Sequence, residues 1–212
     1  MKGDVIIVEE HHRHAAEIIV EAIAGEIRQK DGRYTITVAG ESGSGKSETA
    51  KAIAEALEAR EIRAGVLQQD DYFVYPPKTN DATRRKDISW VGPQEVRLDL
   101  LDEHLQAALD GTDEVTKPLV IYQEDRITEE VMSLAGMKVV IAEGTYTTLL
   151  QNVDKKVFIN RNRLETMDAR RKRGREAPDP FIEEVLKIEH AIISQHKELA
   201  HVVITRDYEV EL

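Results

Sequence analysis

One stretch of the sequence, Gly40 to Ser47, has the residue types and the spacing of a phosphate-binding loop. It fits the pattern G-x-x-x-x-G-K-[ST] at every fixed position. The Lys46 ammonium can reach the β- and γ-phosphates of a nucleoside triphosphate, and the Ser47 hydroxyl can ligate Mg²⁺. Glycines let the backbone N–H groups of such a loop approach the anion closely. We therefore expect the following residues to contact ATP: Gly40, Glu41, Ser42, Gly43, Ser44, Gly45, Lys46, Ser47 and Glu48.

The residues on either side of this loop predict the strand and the helix that it requires. The segment Tyr34–Ala39 is rich in β-branched residues and ends at the glycine, which is typical of a buried parallel strand. After the loop, apolar residues recur at the spacing of one helix face: Ala50, Ile53, Ala54 and Leu57. The N-terminus of that helix would face the anion. This context disfavours the alternative of a glycine-rich turn that binds nothing.

Acidic residues follow two other predicted strands. Asp70 and Asp71 come after the short strand Ala64–Leu67, and Glu143 ends an apolar strand of its own. Ligands of open parallel sheets bind beyond the carboxyl ends of the strands. We expect one of the adjacent aspartates, Asp70, to meet an acceptor hydroxyl or Mg²⁺, and Glu143 to contact the metal directly or through water. The alternative at each position is a capping or turn role. The predicted metal ligands are Ser47, Asp70 and Glu143.

The segment between these acids carries aromatic and basic residues. Residues 74–87 are polar and contain two prolines and a basic run, which predicts a long surface loop. Trp90 either stacks on a base or anchors this loop. Gln94–Leu109 has the apolar spacing of an amphipathic helix. Pro118–Tyr122 predicts a short strand, and the charged stretch that follows it includes Arg126.

A basic run lies near the C-terminal end, with seven cations between residues 161 and 175. Arginine side chains match phosphate oxygens and stabilise the charge on a transferring phosphoryl group. We predict a mobile lid over about residues 161–180 that closes on the triphosphate. Arg171 and Arg173 would act in catalysis, and Arg170 and Arg175 would bind ATP phosphates. The alternatives are a solvated helix face and a nucleic-acid-binding patch.

Composition limits the class of protein further. A length of 212 residues is enough for one domain with a full core. The absence of cysteine excludes disulfides, thiolate catalysis and cysteine-ligated zinc. The first residues hold no apolar run long enough for a signal sequence or a membrane span, which predicts a cytoplasmic protein without a membrane partner. The net charge of −11 argues against nucleic acid as a partner. Assembly into a homo-oligomer is left open.

Residues 1–33 precede the usual start of a domain with this loop. Val5–Val8 predicts a short strand, and the apolar spacing that follows predicts a helix. We expect this extension to pack on the core, against the sheet or against another subunit. His11, His12 and His14 at its start would allow metal binding. A solvated helix entry is favoured, because no carboxylate–histidine spacing supports a metal site.

Strands and helices alternate from residue 34 onward. Further strands are predicted at Lys156–Asn160 and His201–Thr205, with a helix from Phe181 between them. Such alternation calls for a parallel sheet covered on both faces. We predict an α/β protein with a three-layer P-loop NTPase fold: a parallel five-stranded sheet, helices on both faces and an arginine-rich lid. Residues 34–212 would form the kinase domain.

These residues resemble the uridine kinase group of P-loop kinases, which includes nicotinamide riboside kinases and phosphoribulokinases. The resemblance covers about Tyr34 to Thr205. Its carriers are the phosphate-binding loop, Gln69–Phe73, Pro118 with Tyr122, Ile141–Gly144, the arginine-rich run and the final strand. It implies that Asp70 is the general base on the 5′-hydroxyl of a ribosyl substrate, that Glu143 helps to hold Mg²⁺, and that Tyr122 contacts the nucleoside. It also implies that arginines of the lid bind the ATP phosphates.

The sequence departs from the family pattern in the acceptor region. Val91 stands where the family has an acid that binds ribose, and Arg126 lies where the family has a histidine. We predict an ATP- and Mg²⁺-dependent kinase for a small hydroxyl compound, with a nucleoside-like ribosyl acceptor favoured. The alternatives are another acceptor, such as nicotinamide riboside, pantothenate or a sugar phosphate, and a nucleotide-hydrolysing regulatory module. The predicted acceptor-binding residues are Asp70, Tyr72, Phe73, Trp90, Tyr122 and Arg126.

Overall fold

The computed structural model describes residues 6–166 and 179–212. The helices in these ranges are α1 (Glu10–Gln29), α2 (Lys46–Glu58), α3 (Pro77–Lys86), α4 (Leu98–Leu109) and α5 (Pro180–Ile193). The strands are β1 (Tyr34–Gly40), β2 (Ala64–Gln68), β3 (Glu114–Ile121), β4 (Arg126–Ser133), β5 (Val139–Glu143), β6 (Lys155–Ile159), β7 (Val202–Ile204) and β8 (Val210–Glu211). Within these ranges, no helix combines the length and the apolar character that a membrane span needs.

Six strands form the central sheet in the order β2-β5-β1-β6-β7-β8. The first five are parallel, and β8 lies at the edge, antiparallel to β7. The predicted α/β architecture with a mostly parallel sheet is therefore confirmed. The predicted count of five strands was wrong by the edge strand β8, because a strand of two residues is too short to show a periodicity.

Alternate side chains of the central strands point to opposite faces of the sheet, and helices bury both faces. On β1, Ile36 and Val38 pack into a cluster with α1 and α2. Ala39 belongs to a second cluster on the other face, with Leu101 of α4 and Ile193 of α5. The molecule thus has three layers, with helices above and below the sheet.

The N-terminal helix α1 is part of the core. Its buried residues Ile19, Ile23 and Ile27 share one cluster with the sheet and with α2. The strand predicted at Val5–Val8 is wrong for the part that the structure describes, since residues 6–8 belong to no strand. Neither described sheet includes them.

Strands β3 and β4 form a separate antiparallel hairpin rather than part of the central sheet. Its turn residue Asp125 accepts hydrogen bonds from the backbone N–H groups of Lys78 and Thr79 and from the Thr79 hydroxyl. These groups lie in the first turn of α3, where N–H groups have no partner within the helix. The turn of the hairpin is therefore docked on the start of α3.

Helix α3 corrects the prediction of a long surface loop over residues 74–87. Asn80 is its one buried residue, so the helix has no apolar stripe that periodicity could detect. Its stability comes from contacts with distant residues instead. The next helix, α4, begins at Leu98 rather than at the predicted Gln94, because a short 3₁₀ turn occupies Pro93–Glu95.

The predicted lid lies only partly within the described residues. Arg161 and Arg163 follow β6 directly, and Asp179 caps α5 by accepting a hydrogen bond from the backbone N–H of Phe181. The four residues to which specific roles were assigned, Arg170, Arg171, Arg173 and Arg175, lie outside the described residues.

A buried arginine joins several elements at the edge of the sheet opposite the phosphate-binding loop. Arg33 precedes β1, and its guanidinium donates to the backbone carbonyls of Ala108, Thr112, Leu134 and Met137. It also forms an ion pair with Asp113 at 3.3 Å. These partners belong to the end of α4 and to the connections of the β3–β4 hairpin. The carbonyls of Ala108 and Leu134 also accept backbone N–H groups, so Arg33 matters most as the donor to the carbonyls of Thr112 and Met137.

We expect Arg33→Met to lower the free energy of unfolding by about 2–4 kcal/mol, because it removes four hydrogen bonds to carbonyls and leaves those of Thr112 and Met137 without their donor. Arg60→Met is the matched control, since Arg60 also donates to a backbone carbonyl, that of Ala56, and forms ion pairs, but at a partly exposed position between α2 and α1. The control should cost under about 1 kcal/mol. Chemical denaturation of both variants measures the two values, and equal losses would contradict the role given to Arg33.

Candidate active site

The phosphate-binding loop connects β1 to α2 at the carboxyl edge of the sheet. Gly40, Gly43 and Gly45 all have positive φ angles, of 153°, 77° and 98°. Gly45 is the N-cap of α2, so the N–H groups of the first helical turn point toward the space that the loop surrounds. A loop of this shape at a helix N-terminus is suited to bind phosphate groups. Nine of the eleven residues predicted to contact ATP lie in this loop or in the first turn of α2, and the other two, Arg170 and Arg175, lie outside the described residues.

The side chain of Lys46 turns back over the loop. Its Nζ donates a hydrogen bond to the carbonyl oxygen of Glu41 at 3.0 Å, and the residue is 9% exposed. A buried ammonium attracts anions more strongly than one in water, because the surrounding dielectric is lower. Lys46 is therefore held beside the N–H groups that would bind a polyphosphate.

Ser47 and Glu143 meet at the mouth of the loop. The Ser47 hydroxyl donates to Glu143 Oε1 at 3.0 Å. The register of the sheet explains this meeting, because Glu143 ends β5 beside Val38 of β1, two residues before Gly40. Hydroxyl and carboxylate oxygens are hard ligands of the kind that Mg²⁺ prefers. The donor set at this point fits a magnesium ion held by Ser47 and Glu143.

The electrostatics of Glu143 favour a cation at the same point. Burial raises the pKa of its carboxyl, and the Asp70 carboxylate raises it further, whereas Lys46 and the Ser47 hydrogen bond act in the opposite direction. Two carboxylates this close repel each other unless a positive charge lies nearby. The pair Glu143 and Asp70 is therefore a site where a divalent cation would be stabilised.

The two adjacent aspartates face different partners. Asp71 is buried and accepts hydrogen bonds from Lys117 Nζ at 2.9 Å and from the backbone N–H of Val120 at 3.0 Å. It ties the end of β2 to the β3–β4 hairpin. Asp70 is half-buried and close enough to Glu143 to affect its pKa. Asp70 is therefore the aspartate that acts on Glu143, whereas both carboxylate oxygens of Asp71 are engaged by the hairpin.

A glycine and a glutamine shape the edge between Asp70 and Glu143. Gln69 is fully buried, and its Oε1 accepts a hydrogen bond from the backbone N–H of Tyr146 at 2.7 Å. Gly144 has φ +158°, and a Cβ atom there would collide with the Gln69 side chain. The chain after β5 can therefore approach the chain after β2 closely, which brings their acids together.

The predicted acceptor-binding residues are only partly at a surface. Tyr72 is fully buried, and its hydroxyl lies 2.8 Å from His104 Nδ1. Tyr72 therefore packs in the core and is not a candidate for substrate contact. Phe73 is half-buried and forms a β-bridge with Val96. Position alone could not separate these roles, because Asp70 to Phe73 pass through a 3₁₀ turn in which each side chain points in a new direction.

Trp90 belongs to a polar network. Its Nε1 donates to Asn80 Oδ1 at 2.9 Å, and Asn80 Nδ2 in turn donates to the fully buried Glu95. Glu95 also accepts hydrogen bonds from Arg84 and from the backbone N–H of Gly92. The indole is thus anchored to α3, with the ring of Tyr75 at a centroid distance of 5.6 Å. The anchoring alternative for Trp90 matches this structure.

The turn of the β3–β4 hairpin presents the last two predicted acceptor contacts. Tyr122 is 37% exposed and Arg126 is exposed and paired with Glu124 at 2.8 Å. Asp125 docks this turn on the start of α3, the helix to which Trp90 is anchored through Asn80. We use the name acceptor side for Tyr75, Trp90, Tyr122 and Arg126, because three of these residues were predicted to contact the acceptor, and phosphate side for the loop with Ser47, Glu143 and Asp70.

A cleft of about 840 Å³ leads away from the phosphate side. It runs between α2 and the hairpin, and Ser47, Glu143, Asp71 and Lys117 are among the residues that line it. A volume of this size accommodates a small metabolite. The cleft therefore borders two of the predicted metal ligands, Ser47 and Glu143.

Helix α5 contributes contacts that the sequence analysis missed. His190 Nδ1 lies 2.6 Å from Glu41 Oε1 of the phosphate-binding loop, and the neighbouring Glu189 pairs with Arg84 of α3 at 3.1 Å. These polar residues sit in a helix that was predicted from its apolar spacing alone. No local signal distinguishes them from solvent-facing residues.

Lys117 was also missed, although a signal exists. It lies two residues after Val115 on β3, so the two side chains point to the same face of the strand, and both are buried. A lysine at an inward position of a strand requires a carboxylate partner, which Asp71 supplies.

Comparisons with known proteins agree with this geometry. The chain is 27% identical over 191 residues to a bifunctional alpha-galactosidase/sucrose kinase of Mediterraneibacter gnavus, a match that covers 84% of this chain and 20% of that protein. It is 34% identical over 132 residues to a uridine kinase of Shewanella piezotolerans, covering 59% of this chain and 61% of that protein. The chain thus spans less than two thirds of the length of each of these relatives.

The structural and family matches cover more of the chain. A D-glycerate 3-kinase from Cryptococcus neoformans superposes with a TM-score of 0.65 at 14% identity, over 96% of this chain and 99% of that one, which shows a shared fold. Residues 35–163 match the family described as "Phosphoribulokinase / Uridine kinase family". Because that match covers more than half of the chain, the protein belongs to the phosphoribulokinase/uridine kinase family of P-loop kinases.

Proposed function

We propose that the protein is an ATP- and Mg²⁺-dependent kinase that transfers the γ-phosphate to a hydroxyl of a small metabolite. The observation that carries this proposal is the contact between Ser47 and Glu143 at 3.0 Å, with Asp70 beside it, at the mouth of a complete phosphate-binding loop. A nucleotide-hydrolysing module needs the loop and the metal ligands, whereas the additional acid Asp70 suits the removal of a proton from an acceptor hydroxyl. The arrangement therefore favours transfer to a bound acceptor over transfer to water.

Each residue of the phosphate side has a proposed role. The N–H groups of the loop and Lys46 bind the β- and γ-phosphates, and Ser47 and Glu143 hold Mg²⁺. When bound, Mg²⁺ neutralises charge on the phosphates. Asp70 accepts the proton of the acceptor hydroxyl while the hydroxyl oxygen attacks the γ-phosphorus, and ADP leaves with the electrons of the broken bond.

We propose a compound with sugar hydroxyls as the acceptor, and a nucleoside-like ribosyl compound is the first candidate. Tyr122 and the Tyr75–Trp90 pair supply aromatic faces on the acceptor side. The uridine kinase relative supports the same class.

A free sugar is the second candidate, because Tyr72 is buried and Trp90 is anchored to Asn80, which leaves fewer aromatic faces for a base. The relative with the match over 84% of the chain is in part a sucrose kinase. The cleft also carries charged groups, among them Lys51 and Glu55, which suit polar hydroxyl groups better than a flat ring.

An acceptor screen tests this function. ADP release from ATP and Mg²⁺ is measured with uridine, cytidine, nicotinamide riboside, sucrose, fructose, glycerate, ribulose 5-phosphate or pantothenate, and without any acceptor. We expect release to require Mg²⁺ and to rise well above the acceptor-free rate with a ribosyl or sugar compound. Equal ADP release with and without every acceptor would contradict the kinase proposal and favour the hydrolytic alternative.

We expect Lys46→Ala to abolish phosphate transfer while the protein stays folded. The lysine charge stabilises the transferring phosphoryl group, whereas its hydrogen bond to the Glu41 carbonyl adds little to the core. Turnover and thermal unfolding of the variant are the measurements. Near-normal turnover would show that the loop does not bind the reacting triphosphate.

Asp70→Asn and its neighbour Asp71→Asn form a matched pair with opposite expected effects. Asp70→Asn keeps the shape and loses the basic oxygen, so kcat should fall by about 10²-fold or more while ATP affinity and thermal stability hold. Asp71→Asn breaks the buried pair with Lys117, so thermal stability should fall while kcat of the folded protein changes far less. An unimpaired kcat in Asp70→Asn would remove Asp70 as the base.

A further inference from the structure

Tyr208, in the turn between β7 and β8, has an unfavourable backbone conformation. Its φ angle is +63°, in the left-handed region that favours glycine. Its side chain is nevertheless large and buried, with 7% of the residue exposed. Such a residue persists where the contacts of its side chain compensate for the backbone.

The hydroxyl of Tyr208 makes two hydrogen bonds, one of them to the phosphate-binding loop. It donates to the carbonyl oxygen of Ser44 at 2.7 Å, and it lies 3.2 Å from Nε2 of His12 on α1. Nδ1 of His12 accepts the backbone N–H of Glu9 at 3.0 Å. The proton of a neutral His12 must therefore be on Nε2, which donates to the tyrosine oxygen. We call this sequence of hydrogen bonds the His12–Tyr208–Ser44 chain.

Burial lowers the pKa of His12 to about 4, so the ring stays neutral near pH 7. The same hydrogen bonds decide the metal alternative for the histidines. Ligand atoms of Glu9, His11 and His12 lie within 4.8 Å of one another. Both ring nitrogens of His12 are already engaged, however, so the ring offers no lone pair to a metal.

The His12–Tyr208–Ser44 chain lies directly against the back of the phosphate-binding loop. A Cβ atom at Gly45 would collide with the Tyr208 hydroxyl and come within 2.9 Å of His12 Nε2. Ser44, which accepts the hydrogen bond, is fully buried. The guanidinium of Arg161 lies over the Tyr208 ring at 5.2 Å, and the His11 ring packs beside it at 4.2 Å. The loop therefore cannot move backward at Ser44 and Gly45 without breaking this packing.

The residues that support the loop come from both ends of the polypeptide. His12 and Tyr208 are 196 residues apart, and both lie outside residues 35–163, the part that matches the family. Neither residue reaches the side of the loop on which phosphates would bind, since both contact its back. Their effect on a nucleotide must therefore act through the conformation of the loop.

We propose that His12 and Tyr208 are positioning residues that hold the phosphate-binding loop in its anion-binding conformation. Helix α1 and the β7–β8 turn thereby contribute to nucleotide affinity. The proposal rests on the proposed function only in that the loop binds ATP, and it is independent of the acceptor.

Tyr208→Phe tests this proposal, with Tyr34→Phe as the matched control. Tyr34 is also buried, and its hydroxyl also bonds to α1, donating to Glu26 at 2.6 Å, but it lies at the opposite end of β1 from the loop. Tyr208→Phe removes the hydrogen bonds to Ser44 and His12, and Tyr34→Phe removes the one to Glu26, so both variants should lose thermal stability. Only Tyr208→Phe should weaken ATP binding, by roughly three- to tenfold in titration calorimetry. The KM for ATP should rise with it, while the KM for the acceptor holds.

Amide hydrogen exchange gives a second measurement that needs no ligand. Exchange at Gly43 to Ser47 should be faster in Tyr208→Phe than in wild type and unchanged in Tyr34→Phe. If Tyr208→Phe does not fold, His12→Ala replaces it in both measurements, because it removes the donor to the same hydroxyl.

Three outcomes would overturn the proposal. Wild-type ATP affinity in Tyr208→Phe would show that the His12–Tyr208–Ser44 chain does not position the phosphate-binding loop. Equal weakening by Tyr34→Phe would show a general loss of stability. A wild-type protein that binds no ATP would overturn the nucleotide site itself together with this proposal, which separates that failure from the first two.

Discussion

The site depends on one constraint: a loop with three positive-φ glycines must be held in a single conformation before its N–H groups can bind an anion together. Glycine makes this conformation accessible, but it also makes many others accessible in the free chain. The fold removes that freedom from several sides. Helix α2 fixes the end of the loop, the His12–Tyr208–Ser44 chain fixes its back, and His190 holds Glu41 near its start.

The parallel sheet then determines which side chains meet the loop. Val38 and Gln68 both pair with Glu143 in register. The segments that follow β1, β2 and β5 therefore begin next to one another. The contact of Ser47 with Glu143 and the position of Asp70 follow from this register, together with the close approach that Gly144 allows. The acceptor side is built differently, from α3, Glu95 and the hairpin turn, through polar contacts between segments far apart in sequence.

This difference explains how much could be predicted from the sequence. The phosphate-binding loop, the five parallel strands and the acids at their ends follow from local patterns combined with general rules of sheet topology. Helix α3 could not be predicted, because its polar sequence is held by Asp125 and Glu95 rather than by an apolar stripe. Tyr72 and Asp70 are two residues apart, and only their side-chain directions in a 3₁₀ turn separate a core residue from a candidate base. The Tyr208 role depends on a contact across almost the whole chain, which no local pattern encodes.

The central claim is that Ser47 and Glu143 hold the metal of a triphosphate whose phosphates lie against the loop and Lys46. A crystal structure with Mg²⁺ and a non-hydrolysable ATP analogue tests it most directly, through the distances from the metal to Ser47 Oγ and from Lys46 Nζ to the phosphates. We expect the metal at about 2.1 Å from Ser47 Oγ. We also expect Lys46 Nζ to be within hydrogen-bond distance of a β- or γ-phosphate oxygen instead of the Glu41 carbonyl. A triphosphate bound elsewhere, or Lys46 still bonded to the Glu41 carbonyl with the metal away from Ser47, would contradict the account.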